Sequence, residues 1–202
     1  MKLFYTPGAC SLATHIVARE AGIELDLDKV DGKSKRTASG TDYLTINPKG
    51  YVPALQLDDG EVLTEAPVVA QYLADRKPST GLAPAAGTIA RYRLMEMLGY
   101  INSEIHKTYS PLFNSSIAGP AREERVAYLR KRYGVIEQRL SKHDYLVGQS
   151  FTIADAYLFT VTRWADIVKL DLSDFPSVRA FQTRIAARPA VQAAMKAEGL
   201  IH

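Results

Sequence analysis

From Ser11 the apolar positions Leu12, Ile16, Val17 and Ala21 recur at helical spacing, predicting a helix that Gly22 stops. Ahead of it, Lys2–Tyr5 reads as a short strand closed by Pro7-Gly8. After it the period changes. Ile23, Leu25 and Leu27 alternate with Glu24, Asp26 and Asp28, so Ile23–Val30 predicts a half-exposed strand. Asp31 to Asp42 is polar and rich in Gly, Ser and Lys, a loop with room for one helical turn. The stretch YVPALQLDDGEVLTEA then reads as strand, Asp59-Gly60 turn, strand, which is a hairpin signal. A helix over Thr64 to Ala74 follows, with Val68, Val69, Tyr72 and Leu73 apolar. The predicted order is β-α-β-loop-β-β-α.

Beyond this point the pattern is helical only. PSTGLAPAAG, from Pro78 to Gly87, has linker composition. Ile89 to Tyr109 predicts one long helix. Val126, Leu129, Tyr133, Ile136 and Leu140 form the stripe of an amphipathic helix. In Phe151-Thr-Ile-Ala-Asp155, Thr152 and Asp155 form a capping signature that opens an apolar helix reaching Trp164. Two shorter helices start at Pro176 and Pro189, a residue suited to a first helical turn. The fold class is therefore α/β plus all-α. An α/β domain at 1–78 is joined by a linker at 79–87 to an all-helical domain at 88–202.

Composition narrows the function classes. The 202 residues are 47% apolar and 23% charged with a net charge of +3, as in ordinary globular proteins. No basic run with interleaved aromatics occurs, which argues against nucleic acid as partner. No apolar stretch approaches the ~20 residues of a membrane span, and the first residues lack a secretory pattern. The single cysteine, Cys10, can form neither an intrachain disulfide nor a cysteine zinc site alone. The expected location is the cytoplasm, and no metal is expected.

Cys10 is also the leading chemical candidate. Free cysteine often packs as a small hydrophobe. This one stands at the start of a helix, where the macrodipole and backbone N–H groups are expected to lower its pKa. A strand, a loop and a cysteine opening a helix is the thioredoxin layout. The resolving cysteine of that layout is missing, since Ala13 stands three residues on. Dithiol chemistry then needs an external small thiol, which points to glutathione. Two further segments fit such a tripeptide. Pro53 opens a strand and leaves the backbone of Val52 as a pairing edge for an extended peptide. Thr64-Glu65-Ala66 offers helix N–H groups for a carboxylate and the Glu65 side chain for an ammonium.

The segments FYTPGACSLATHI, NPKGYVPAL, LTEAPVVAQYLAD, EIHK, FTIADAYLFT and RPAVQAAMKAEGL resemble the bacterial beta-class glutathione S-transferases, in order and over nearly the whole chain. The resemblance implies a thioredoxin-like N-terminal domain, a helical C-terminal domain, a homodimer and a cis Val52–Pro53 bond. It implies that Cys10 faces the glutathione sulfur and can form a mixed disulfide with it. Val52 would pair with the cysteinyl part, Glu65 and the backbone of Ala66 would take the γ-glutamyl head, and Lys35 would reach the glycyl carboxylate. His106 and Lys107 would approach the sulfur side. Ser103 and Glu104 match positions that contact glutathione, in part across the dimer interface.

Two positions depart from the family pattern. Ala66 stands where relatives often carry Ser or Gly, and Gly99 where Asn is common, with Asn102 one helical turn on as a substitute. Tyr5, which matches the activating tyrosine of other classes, is assigned a minor role, and His15 a structural one. Ser11, next to Cys10, offers a hydroxyl to a thiolate, and with Cys10 and His106 completes the expected catalytic set. The implied activity is conjugation of glutathione, as co-substrate, to small hydrophobic electrophiles. These would bind in a cleft between the domains to which Tyr109, Phe113 and Trp164 contribute. Thiol transfer or reductive dehalogenation through Cys10 uses the same site. Non-catalytic binding of hydrophobic ligands is the reading from another class.

Overall fold

A computed structural model describes residues 1–202. Its first strand, β1 (Lys2–Tyr5), is central, because Leu3 and Phe4 are apolar enough to be enclosed on both sides. β2 (Asp26–Lys29) pairs parallel to it, Leu3 opposite Leu27. A parallel neighbour needs a crossover, and α1 (Ser11–Glu20) provides it. On the other side β3 (Ala54–Gln56) runs antiparallel, Leu3 opposite Leu55, and β4 (Val62–Thr64) completes the order β2-β1-β3-β4. The β3–β4 hairpin turns at Asp59-Gly60, where Gly60 takes φ 92° and Leu57 N–H donates to Glu61 O at 2.8 Å. α2 (Ala66–Asp75) packs on α1, and so does the closing helix α9 (Pro189–Ala197).

The second predicted strand is shorter than Ile23–Val30. Asp26–Lys29 forms the strand and Val30 adds a single bridge to Thr37, while Asp28, placed outside by the alternation, is buried. Its carboxylate accepts from Ser39 N–H at 3.3 Å and Ser39 Oγ–H at 2.6 Å. A buried polar group so satisfied is tolerated, and a period-2 pattern cannot register that.

Two compact units result, Met1–Ala83 with Ala187–His202, and Pro84–Ala186. The second holds α3 (Ile89–Tyr100), a π-helical segment (Ile101–His106), α4 (Lys107–Tyr109), α5 (Gly119–Leu140), α6 (Ile153–Thr162), α7 (Trp164–Val168) and α8 (Pro176–Ala186). Its core is α6, buried along its whole length. The capping signature at its start is formed: Thr152 N–H and Oγ–H donate to Asp155 Oδ2 at 2.7 and 2.9 Å, and Leu146 N–H to Oδ1 at 2.9 Å. Burial raises the Asp155 carboxyl to about 6 against these hydrogen bonds. Of the predicted α5 stripe, Leu129, Tyr133, Ile136 and Leu140 are buried and Val126 is half-buried. Glu137 on the same helix accepts from Ser177 N–H and Val178 N–H, capping the first turn of α8.

The single helix predicted from Ile89 to Tyr109 is interrupted. Lys107 N–H reaches Asn102 O, five residues back, and the widened turn spans Ile101–His106. Such segments are frequent at functional sites. Apolar spacing does not reveal them, because the side chains on either side remain in helical register. No helix is long and apolar enough to cross a membrane.

Candidate functional site

The β1–α1 loop is folded on its own backbone. Ala9 N–H donates to Thr6 O at 3.0 Å. Ser11 Oγ accepts from Thr6 N–H at 3.2 Å and donates to Thr6 O at 3.3 Å. Ser11 is fully buried, and its hydroxyl holds the loop from inside by these two bonds to Thr6. Gly8, at φ 71°, donates its N–H to Glu198 Oε2 at 2.9 Å. A Cβ at Gly8 would lie 3.4 Å from the Leu200 side chain. Glu198 Oε1 also meets His15 Nδ1 at 3.0 Å, both side chains being buried. His15 is thus structural. Glu198 and Leu200, within the RPAVQAAMKAEGL segment, brace the turn from behind, a role that the segment's residue types did not announce.

Cys10 is the N-cap of α1 and half-buried. Its Sγ–H donates to Val52 O at 3.1 Å. Burial pushes the thiol up to about 12, and the negative charge of Glu65 adds to the rise, while hydrogen bonding from the backbone of Cys10 and Ser11 pulls the other way. The helix-terminus effect anticipated from the sequence is present but outweighed. The resting group is a neutral thiol, not a thiolate. Tyr5 is buried and its hydroxyl pKa is raised, by burial first and then by Glu198 and Asp28.

Val52–Pro53 is a cis peptide bond. The turn before it is held by residues the sequence reading missed. Tyr43 Oη–H and Asn47 Nδ2–H both donate to Tyr51 O at 2.7 Å, and both residues are buried. Lys35, at φ 55°, donates from Nζ to Gly50 O at 2.9 Å. Glu65 is the N-cap of α2 at φ 69°, and Ala66, buried, is the first helical residue. The Glu65 side chain, 58% exposed, pairs with an ammonium from the chain itself: Lys49 Nζ lies 2.8 Å from Oε1 and 2.9 Å from Thr64 Oγ1. The carboxylate is therefore set up to hold a positive charge.

In the second unit His106 ends the π-helical segment. Its Nδ1 lies 2.6 Å from Tyr157 Oη, whose O–H donates to Asn102 Oδ1 at 2.8 Å. The His106 ring meets Trp164 edge-on with centroids 4.9 Å apart, and Trp164 in turn meets Tyr109 and Phe113. Tyr109 is fully buried and hydrogen-bonded to Tyr133 at 2.9 Å, so it serves the core, whereas Phe113 is 48% exposed. Ser103 Oγ–H donates to Gly99 O at 3.0 Å. Glu104 is paired with Arg132 at 2.7 Å and accepts from Tyr128 Oη–H. Lys107 is exposed. A groove of about 760 Å³ in this unit, lined by Thr162, Asp166, Leu170, Arg179 and Thr183 among others, includes none of the expected site residues. No cluster of three or more His, Cys, Asp or Glu is placed to hold a metal ion.

The family model of the glutathione S-transferase N-terminal domain matches residues 8–76, and that of the C-terminal domain matches residues 100–189. The chain belongs to the glutathione S-transferase family. As a transferase it is 48% identical over 200 residues to glutathione S-transferase GstA of Escherichia coli O157:H7, covering 99% of this chain and 100% of that one. Its fold superposes on the bacterial beta-class glutathione S-transferase of Sphingomonas chungbukensis with a TM-score of 0.96 at 45% identity, over the full length of both chains. A sphingomonad glutathione S-transferase complexed with glutathione matches with a TM-score of 0.95 at 44% identity, also over both full lengths. The transferase described here is of the beta class.

Proposed function

We propose that this transferase conjugates glutathione to small hydrophobic electrophiles and holds the tripeptide in its first unit. The observation that carries this reading is the hydrogen bond from the Cys10 thiol to the carbonyl of Val52, at the turn that ends in cis Pro53. It brings the single thiol against the backbone edge on which an extended peptide would pair. Val52 would pair with the cysteinyl residue, and Glu65 with the backbone of Ala66 would take the γ-glutamyl head. Lys35 would take the glycyl carboxylate. A neutral Cys10 thiol would donate to the glutathione thiolate by turning its one hydrogen away from the Val52 carbonyl when the tripeptide binds. Each pKa unit by which the site lowers that thiol from about 8.5 corresponds to ~1.4 kcal/mol.

His106 and Lys107 would act on the sulfur side, and Ser103 and Glu104 would contact glutathione. A homodimer is supported by the apolar residues Ile89, Tyr92 and Met95, all exposed at successive turns of α3, and by Tyr51, 74% exposed. The single unpaired cysteine supports a cytoplasmic location.

The deciding experiment assays a Cys10→Ala variant for conjugation and, separately, for reduction of a glutathione mixed disulfide. Loss of disulfide reduction with conjugation lowered but present fits a donor role. Unchanged rates in both assays would remove Cys10 from the site. Trapping a Cys10–glutathione disulfide by intact-mass spectrometry would instead favour thiol transfer, and native mass measures the oligomer.

A further inference from the structure

Tyr157 lies on α6 with 1% of its surface exposed, and its hydroxyl lies 2.6 Å from His106 Nδ1 and 2.8 Å from Asn102 Oδ1. A tyrosine hydroxyl carries one hydrogen and an amide oxygen only accepts. The hydrogen therefore goes to Asn102, and the short contact with His106 requires the imidazole to be the donor. We infer that Tyr157 and Asn102 are positioning residues that hold neutral His106 as its Nδ1–H tautomer, with the lone pair on Nε2. Which nitrogen carries the proton is set by the hydrogen bond the other ring position makes. Here that bond is made by a buried hydroxyl whose direction is fixed in turn by an amide one step further out.

The π-helical segment is what brings the arrangement together. Asn102 and His106 stand near its two ends, and the widened turn is closed by Lys107 N–H on Asn102 O. The edge-on contact with Trp164 at 4.9 Å adds a second restraint on the imidazole plane. In that tautomer the accepting nitrogen of the imidazole is Nε2. A hydrogen bond from a thiol, or a proton taken from it to give thiolate and imidazolium, would go to Nε2. This inference rests on the proposal that His106 acts on the sulfur side.

The test reads the tautomer directly and needs no turnover. Long-range proton–nitrogen correlation on histidine-labelled full-length protein at about pH 8, above the ordinary imidazole pKa of about 6.5, is expected to show Nδ1 protonated and Nε2 bare. Nε2–H in the unaltered protein overturns the inference. Asn102 is exposed, so its variants leave the core intact. Asn102→Asp keeps an acceptor and is expected to keep the Nδ1–H form. Asn102→Ala frees the hydroxyl hydrogen to turn towards Nδ1 and is expected to shift the tautomer ratio about fivefold to tenfold towards Nε2–H, as one lost hydrogen bond would. An unchanged ratio in Asn102→Ala also overturns it. In conjugation assays Asn102→Ala is expected to lower kcat more than it raises KM, with recovery in Asn102→Asp. A His106→Ala variant separates the two readings. Full activity there removes His106 from the reaction, whereas the tautomer result is decided by the spectra alone.

Discussion

The Cys10 thiol donates its hydrogen to the carbonyl of Val52 at 3.1 Å, and the thiol is held protonated up to about pH 12. Cysteine reactivity follows the thiolate, so near neutral pH alkylation by iodoacetamide is expected to run about a thousandfold more slowly than for an ordinary cysteine. The rate should climb with pH until about 12. Because the folded pKa is raised, the stability contributed by this group is intact below about pH 9 and declines as pH rises towards 12. Intact-mass kinetics across pH measures the first effect, and urea unfolding of wild type against Cys10→Ala the second.

Glu65 pairs with Lys49 at the surface, both side chains more than half exposed. Such a pair contributes about 0–1 kcal/mol, so Lys49→Ala should leave the unfolding midpoint nearly unchanged. The same substitution releases the carboxylate and is expected to tighten glutathione about twofold, on the order of one exposed ion pair. Glu65→Gln should weaken glutathione about tenfold, in line with one charge-assisted hydrogen bond. Calorimetric titration of the three proteins with glutathione distinguishes these outcomes.

Asp155 accepts three hydrogen bonds at the start of a helix buried along its length. Asp155→Ala leaves buried N–H groups unanswered and should cost about 2–4 kcal/mol in urea unfolding. The Asp155 pKa is raised from 3.8 to about 6. Its protonation-linked contribution is therefore complete below about pH 4 and is lost as pH rises through about 6. Asp155→Asn should flatten the pH dependence of stability in that window.

Glu198 serves Gly8 N–H and His15 at once, with no exposed surface on its side chain. Glu198→Leu strands both partners and is expected to lower stability by about 3 kcal/mol, the scale of leaving two buried hydrogen-bonding groups unmet. It should also loosen the Gly8 turn, seen as faster amide exchange at Gly8 and Ala9. Arg188→Ala removes the pairing of that side chain with Glu20 and should leave exchange at Gly8 unaffected.

The elements set by local rules were legible in the sequence. The Asp59-Gly60 hairpin, the Thr152–Asp155 cap and the stripe on α5 depend on neighbours within a few residues, and all three are formed. Burial of Asp28 and the neutral state of Cys10 were not, because each depends on residues remote in sequence, Ser39 in one case and Val52 and Glu65 in the other. The π-helical segment was hidden for a different reason, since one widened turn leaves the apolar spacing on either side intact. Cys10 meets Val52 at the turn before Pro53. Of the groups that hold this turn, Tyr43 carried no motif, and Asn47 opened the NPKGYVPAL segment without a role that its residue type announced.

The brace on Gly8 comes from a residue 190 positions further along the chain. During translation the first unit's strands and α1 emerge early, while Glu198 follows 190 residues after Gly8, on the order of ten seconds later at ordinary elongation rates. Until then the thiol loop is held only by its own bonds, Ala9 N–H on Thr6 O and Ser11 Oγ on the Thr6 backbone. A nascent chain that stops short of Glu198 never acquires the second fastening, so the order of synthesis sets when the loop is fully braced.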